Sequence, residues 1–190
     1  MRDPLFRSLD FEAIAAAIRK AQKSVCYAAP GIQPEPAEAI VEVAGKFGPE
    51  CITVCIDFDE RVIRMGFGDL TATKALRDEG IAVNSTPGLR TGLVIVDHGG
   101  YIFTPTALYL EADSRPAEAP NAMRLSEDQV KEALARLSPA AKAMAIALAG
   151  SEEERKKIRE QAVEVASVKV ADKEFVAVSC LQFLPAICRT

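Results

Sequence analysis

Apolar residues set the rhythm of the chain from its first stretch. Phe11, Ile14, Ala15 and Ile18 recur at three- and four-residue spacing. They lie between Ser8 or Asp10, either of which can cap, and the basic Arg19, Lys20 and Lys23, a pattern that predicts an amphipathic helix over 9–23. The period then shortens. Residues 24–29 (SVCYAA) form a β-prone run stopped by Pro30-Gly31, and 35–47 return to helical spacing through Ile40, Val41, Val43 and Ala44. Residues 51–58 (CITVCIDF) are almost unbroken in apolar and β-branched side chains, which suits a strand buried on both faces at the centre of a sheet.

A helix over 69–79, ended by Gly80, and a short strand at 81–83 complete a β-α-β pattern, so the sheet is parallel or mixed. Residues 91–96 and 101–104 flank Asp97-His98-Gly99-Gly100 and read as a β-hairpin. Residues 111–121 carry prolines and acids with little apolar content, the composition of a linker or surface loop. From Ser126 the pattern turns helical. Ser126 and Gln129 have capping-box spacing, Ser138-Pro139 opens a second helix, and the charged stretch 151–166 offers a third with Glu153 and Lys157 paired four apart. Residues 168–178 alternate as a strand does, and 180–188 (CLQFLPAIC) form an apolar segment expected to pack on the domain or on a partner. The expected organisation is an α/β domain over 1–111, a linker over 112–125 and a helical extension over 126–190.

Composition narrows the function classes. The 190 residues are 49% hydrophobic and 26% charged, an ordinary globular balance. With 23 Lys and Arg against 27 Asp and Glu, the net charge of −4 provides no global field that would gather nucleic acid or anionic lipid, although a local basic groove is compatible with it. Charged residues interrupt every apolar run before the roughly 18 to 20 residues of a membrane span, so no span is expected. Five cysteines and a start without a basic-then-apolar leader point to reduced thiols and a cytoplasmic setting. Cys51 and Cys55 share one face of the predicted strand, with Cys26 on a neighbour. They lack further ligands at metal spacing and read as buried structural thiols, so no metal is expected. No cofactor is expected either, because Gly66-Phe67-Gly68 lacks the context of a nucleotide-binding fingerprint.

The segment 80–108 carries the chemistry. It runs from a short strand through a polar loop to an apolar strand ending at Asp97, then a glycine turn, a second strand and the small polar cluster Thr104-Pro105-Thr106. This order resembles one repeat of the phospholipase D-like superfamily. In that family a loop carries His-x-Lys, an Asp follows seven residues after the His, and Gly-Ser-x-Asn follows the hairpin turn. The resemblance extends over about 9–111 and implies a mixed sheet flanked by helices, one phospholipase D-like half. It also implies a homodimer, the usual assembly of single-repeat members.

The departures decide what such a domain can do. Arg90 stands where the family has its nucleophilic His, and Gly92 where it has the phosphate-holding Lys. A guanidinium that stays protonated cannot attack phosphorus, and glycine brings no charge. The expected function is therefore a non-catalytic binding or regulatory domain with an anion-binding cleft. Arg90, Thr91, Thr104 and Thr106 are its candidate binding residues, joined by Arg61 and Arg64 near the carboxyl end of the central strand. The ligand expected there is an anionic small molecule or a phosphodiester. Asp97 is expected to serve structure, accepting backbone N–H groups of the glycine turn. His98 is the weak catalytic candidate, and carries the alternative of a divergent phosphodiesterase acting on phospholipid or nucleic acid. A nucleic-acid-associated protein is a further alternative, disfavoured by the charge, and a flavodoxin-like receiver fold is the structural one.

Overall fold

Residues 4–107 and 119–170 are described by the computed structural model of the chain. The run predicted for the centre of a sheet is there: β2 (Val25–Ala29) and β3 (Ile52–Ile56) pair in parallel and are buried along their whole length. They are joined by α2 (Pro34–Phe47), which starts with proline in its first turn and closes at Gly48. After β3 come the short α3 (Glu60–Arg64) and α4 (Leu70–Asp78), capped by the carboxylates of Asp59 and Asp69. Strand β4 (Ala82–Ser85) then joins β3 in parallel.

Beyond β2 the sheet turns antiparallel. The predicted hairpin is β5 (Gly92–Val96) with β6 (Gly99–Phe103), the turn being Asp97-His98, and β5 pairs with β2. Two short strands extend this side: β7 (Ala122–Leu125) beside β6, and β1 (Phe6–Arg7) beside β7. With β8 (Val168–Lys169) on β4, the described residues form an open mixed sheet in the order β1-β7-β6-β5-β2-β3-β4-β8.

Helices cover both faces, so the protein is α/β with three layers. Alternation along the strands sorts the side chains. Val25, Tyr27, Val54, Ile56 and Val94 face α1 (Phe11–Ile18), α2 and α4, where Ile14, Ile18, Ile40, Val43 and Leu76 fill the larger core. Cys26, Ala28, Cys55 and Ile95 face α5 (Glu127–Leu137), α6 (Pro139–Leu148) and α7 (Glu152–Glu160). That second core mixes small residues, among them Cys26, Ala28, Cys55, Ala135, Ala141 and Ala145, with larger ones such as Ile95, Leu134 and Ile158.

Two expectations change here. The segment read as linker, 112–125, ends in β7, a strand in the interior of the sheet, and its earlier part (112–118) lies outside the described residues. The helices after Ser126 form the second helical layer over the central strands, so they share a core with the α/β part. Ser126 and Gln129 form the capping box that the sequence predicts, while the charged third helix stops at Glu160 and not at 166. The apolar segment 180–188 lies outside the described residues.

Candidate binding cleft

The carboxyl ends of the parallel strands are bound together by main-chain contacts that side chains would obstruct. A Cβ on Gly31 would stand 2.4 Å from the Phe67 carbonyl oxygen, and one on Gly68 would stand 2.7 Å from the Ile32 nitrogen. Only glycines permit the two loops to touch. Gln33 Nε2 donates to the Gly66 carbonyl at 2.9 Å, so Gly66-Phe67-Gly68 serves this loop packing. Tyr27 donates to the Gly31 carbonyl from inside the core, where burial drives its phenol well above the ordinary range.

Asp57 leaves β3 at this end and is almost wholly buried. Its Oδ2 accepts from the Gly88 backbone N–H at 3.0 Å and from Arg90 Nη1 at 2.5 Å. The same Nη1 also donates to the Leu89 carbonyl at 2.8 Å. The loop between β4 and β5 is further tied down by Thr86, whose N–H donates to the Ile56 carbonyl at 2.6 Å. Arg90 is thereby held at its inner edge, while its side chain stays 61% exposed.

On the other side of Arg90 lies a cleft of about 450 Å³. Arg90, Thr91 and Thr104 line it together with Asn121 and the apolar Phe6, Ile102 and Met123. Its far wall is fastened by Asn121. The Asn121 side chain accepts from Leu9 N–H at 2.7 Å and donates to the Leu9 carbonyl at 2.8 Å, and its backbone bonds Thr104 and Arg7. Asn121 thus joins β1, β6 and β7 at the rim.

The cleft unites only part of the residue set expected from sequence. Arg90, Thr91 and Thr104 meet in it; Thr106 does not line it. Arg61 and Arg64 sit exposed on α3, Arg64 paired with Glu60, and neither lines the cleft. Gly92, in the position of the family's lysine, faces the Phe103 ring, which a Cβ there would meet at 2.4 Å. A side chain at 92 has no room.

His98 lies beyond the opposite end of β5 from Arg90, the five residues of strand between them alone spanning about 16 Å. It is exposed beside α5 and α6, outside the cleft. Asp97, at φ 54°, directs its carboxylate away from the glycine turn expected to satisfy it. The carboxylate accepts instead from the backbone N–H groups of Gln22, Lys23 and Ser24, at 3.0, 2.7 and 3.0 Å. It fixes the loop between α1 and β2 to the hairpin.

The thiols are placed differently from the sequence reading. Cys51 is in a single 3-10 turn opened by Pro49, ahead of the strand, so it does not share a strand face with Cys55. Cys26 and Cys55 lie on adjacent strands in the second core. Burial pushes the Cys55 thiol up to about 11, moderated by the hydroxyls of Ser138 and Thr86, and burial beside Cys55 raises the Cys26 thiol well above its ordinary range. Buried thiols of this kind are weak nucleophiles.

Two features of the cleft escape a reading of the sequence: the Asp57 that orients Arg90, and Asn121. The first is 33 residues from its partner and the second 112 residues from Leu9. Comparison with family models, with curated proteins and with solved structures returned no match to this chain.

Proposed function

We propose that this chain is a non-catalytic binding domain of phospholipase D-like build that holds an anionic group at Arg90. One observation carries the reading: a buried carboxylate positions Arg90 at the mouth of a cleft that also presents the hydroxyls of Thr91 and Thr104. A guanidinium fixed along one edge keeps its other donors in a set direction, which suits a planar or tetrahedral oxyanion. No His, Lys, Cys, Asp or Glu lines the cleft among the described residues, and a threonine hydroxyl needs such a base to act as a nucleophile.

The alternative of a divergent phosphodiesterase needs His98 at the ligand, and His98 lies at the far end of β5. Assay of the purified protein with bis-p-nitrophenyl phosphate tests both readings. The expected result is binding that competes with inorganic phosphate, with no release of nitrophenol. Turnover that disappears in His98→Ala overturns the non-catalytic reading. The homodimer implied by the resemblance belongs to the same proposal, and light scattering on the protein used for binding reads it directly.

A further inference from the structure

Large apolar side chains stand in a row across the outer sheet beside Arg90. The register places Phe6 opposite Met123 and Met123 opposite Ile102, on strands β1, β7 and β6. Residues so paired point to the same face. They are 59%, 42% and 38% exposed. Helices α5 to α7 cover this face over the central strands, and among the described residues none covers the row beyond β5. An exposed apolar row that forms one wall of a cleft with a guanidinium at its end marks a place where something binds.

The charge at the head of the row is already partly balanced. Arg90 Nη1 is engaged by Asp57 and by the Leu89 carbonyl, so the guanidinium offers its remaining edge to a ligand and carries little excess positive charge. A polyanion gains little from such a site, while a single negative head followed by an apolar body matches both ends of it. We infer that the cleft binds a single-chain amphiphile with a one-charge carboxylate, sulfate or phosphate-ester head, its head on Arg90, Thr91 and Thr104 and its chain along Ile102, Met123 and Phe6. This inference rests on the anion site proposed above and adds the ligand class.

Titration calorimetry with sodium decanoate below its micellar range, alongside acetate, decanol and inorganic phosphate, tests it on the intact chain. Decanoate should bind at least tenfold more tightly than acetate or decanol. Ile102→Ser and Met123→Ser should each weaken decanoate severalfold and change phosphate binding by a clearly smaller factor, with melting temperatures near the parent's. Arg90→Ala should weaken both ligands. Equal affinity for decanoate and acetate overturns the amphiphile and leaves the anion site standing, whereas decanoate binding that survives Arg90→Ala overturns the anion site. Two further results also overturn the inference. One is a solution mass that falls in Ile102→Ser without ligand, which makes the row a contact between copies of the chain. The other is binding to phosphatidylglycerol vesicles that exceeds binding to free decanoate, which makes it a membrane contact.

Discussion

Asp57 Oδ2 lies 2.5 Å from Arg90 Nη1, and the two side chains differ sharply in exposure: 5% for the carboxylate, 61% for the guanidinium. The aspartate is built into the fold, and the arginine is held out from it. Such a pair does two things. It neutralises a buried carboxylate, and it aims a cation into the cleft while competing for that cation with any anion that arrives.

Asp57→Asn should therefore raise affinity for inorganic phosphate severalfold, since the competing charge is gone while an oxygen remains to accept from Gly88. The same substitution should lower stability by about 1 kcal/mol, because the pair is open to solvent on the arginine side. Calorimetric titration and a urea melt on one preparation check both signs. Weaker phosphate binding in Asp57→Asn would show that positioning outweighs competition.

Asp97 is a second built-in carboxylate. Asp97→Ala leaves the backbone N–H groups of Gln22, Lys23 and Ser24 without their acceptor and places alanine at φ 54°. A loss of about 3 kcal/mol is expected, with Asn losing clearly less because it accepts hydrogen bonds and tolerates that backbone. Chemical denaturation of the two variants gives the order.

The contact between Gly31 and Gly68 predicts a third loss. Gly31→Ala forces a Cβ into the Phe67 carbonyl, main chain against main chain, at a cost of about 2 kcal/mol. Gly45→Ala, where a Cβ meets nothing within 4 Å, is the control and should be neutral or slightly stabilising in its helix. Thermal melts of the two variants should separate clearly.

Much of the fold is legible in the sequence because its strongest signals are local. The unbroken apolar run of β3, the Pro-Gly stop after β2, the caps Asp10, Asp69 and Ser126, and the hairpin around Asp97 all lie within a few residues of the elements they define. Strands β1 and β7 escaped because they are two and four residues long and β7 follows a proline-rich stretch, whereas β8 opens the alternating run 168–178, whose part from 171 lies outside the described residues. Their identity comes from neighbours distant in sequence. The site divides in the same way. Arg90, Thr91 and Thr104 flank one hairpin and enter as candidates through the family resemblance, whereas Asp57 and Asn121 reach the cleft through the packing of separate segments. Arg61 and Arg64 follow the end of β3 as the sequence reading has them, but α3 leaves them exposed and outside the cleft that Arg90 lines.

Thiol chemistry supplies a pH-dependent prediction. The Cys55 thiol, raised from 9.0 to about 11 by burial, stays protonated in the folded chain where an unfolded chain would ionise. Its contribution to stability is full below about pH 9 and is lost as pH rises through about 11. Denaturant midpoints should therefore fall over that window, and less so in Cys55→Ala. At pH 8 a thiol reagent should modify half-buried Cys51 well before Cys26 or Cys55, which mass spectrometry of digested protein resolves.

The central claim is that Arg90, held by Asp57, is the anion-binding residue of this domain. Calorimetric titration of inorganic phosphate into the parent, Arg90→Ala and the Arg61→Ala/Arg64→Ala double variant tests it most directly. The account predicts parent-like binding and melting in the double variant, and a loss of tenfold or more in Arg90→Ala, which stays folded at the temperature of the titration but melts lower because buried Asp57 loses its cation. Phosphate binding unchanged in Arg90→Ala, or lost only in the double variant, would contradict it.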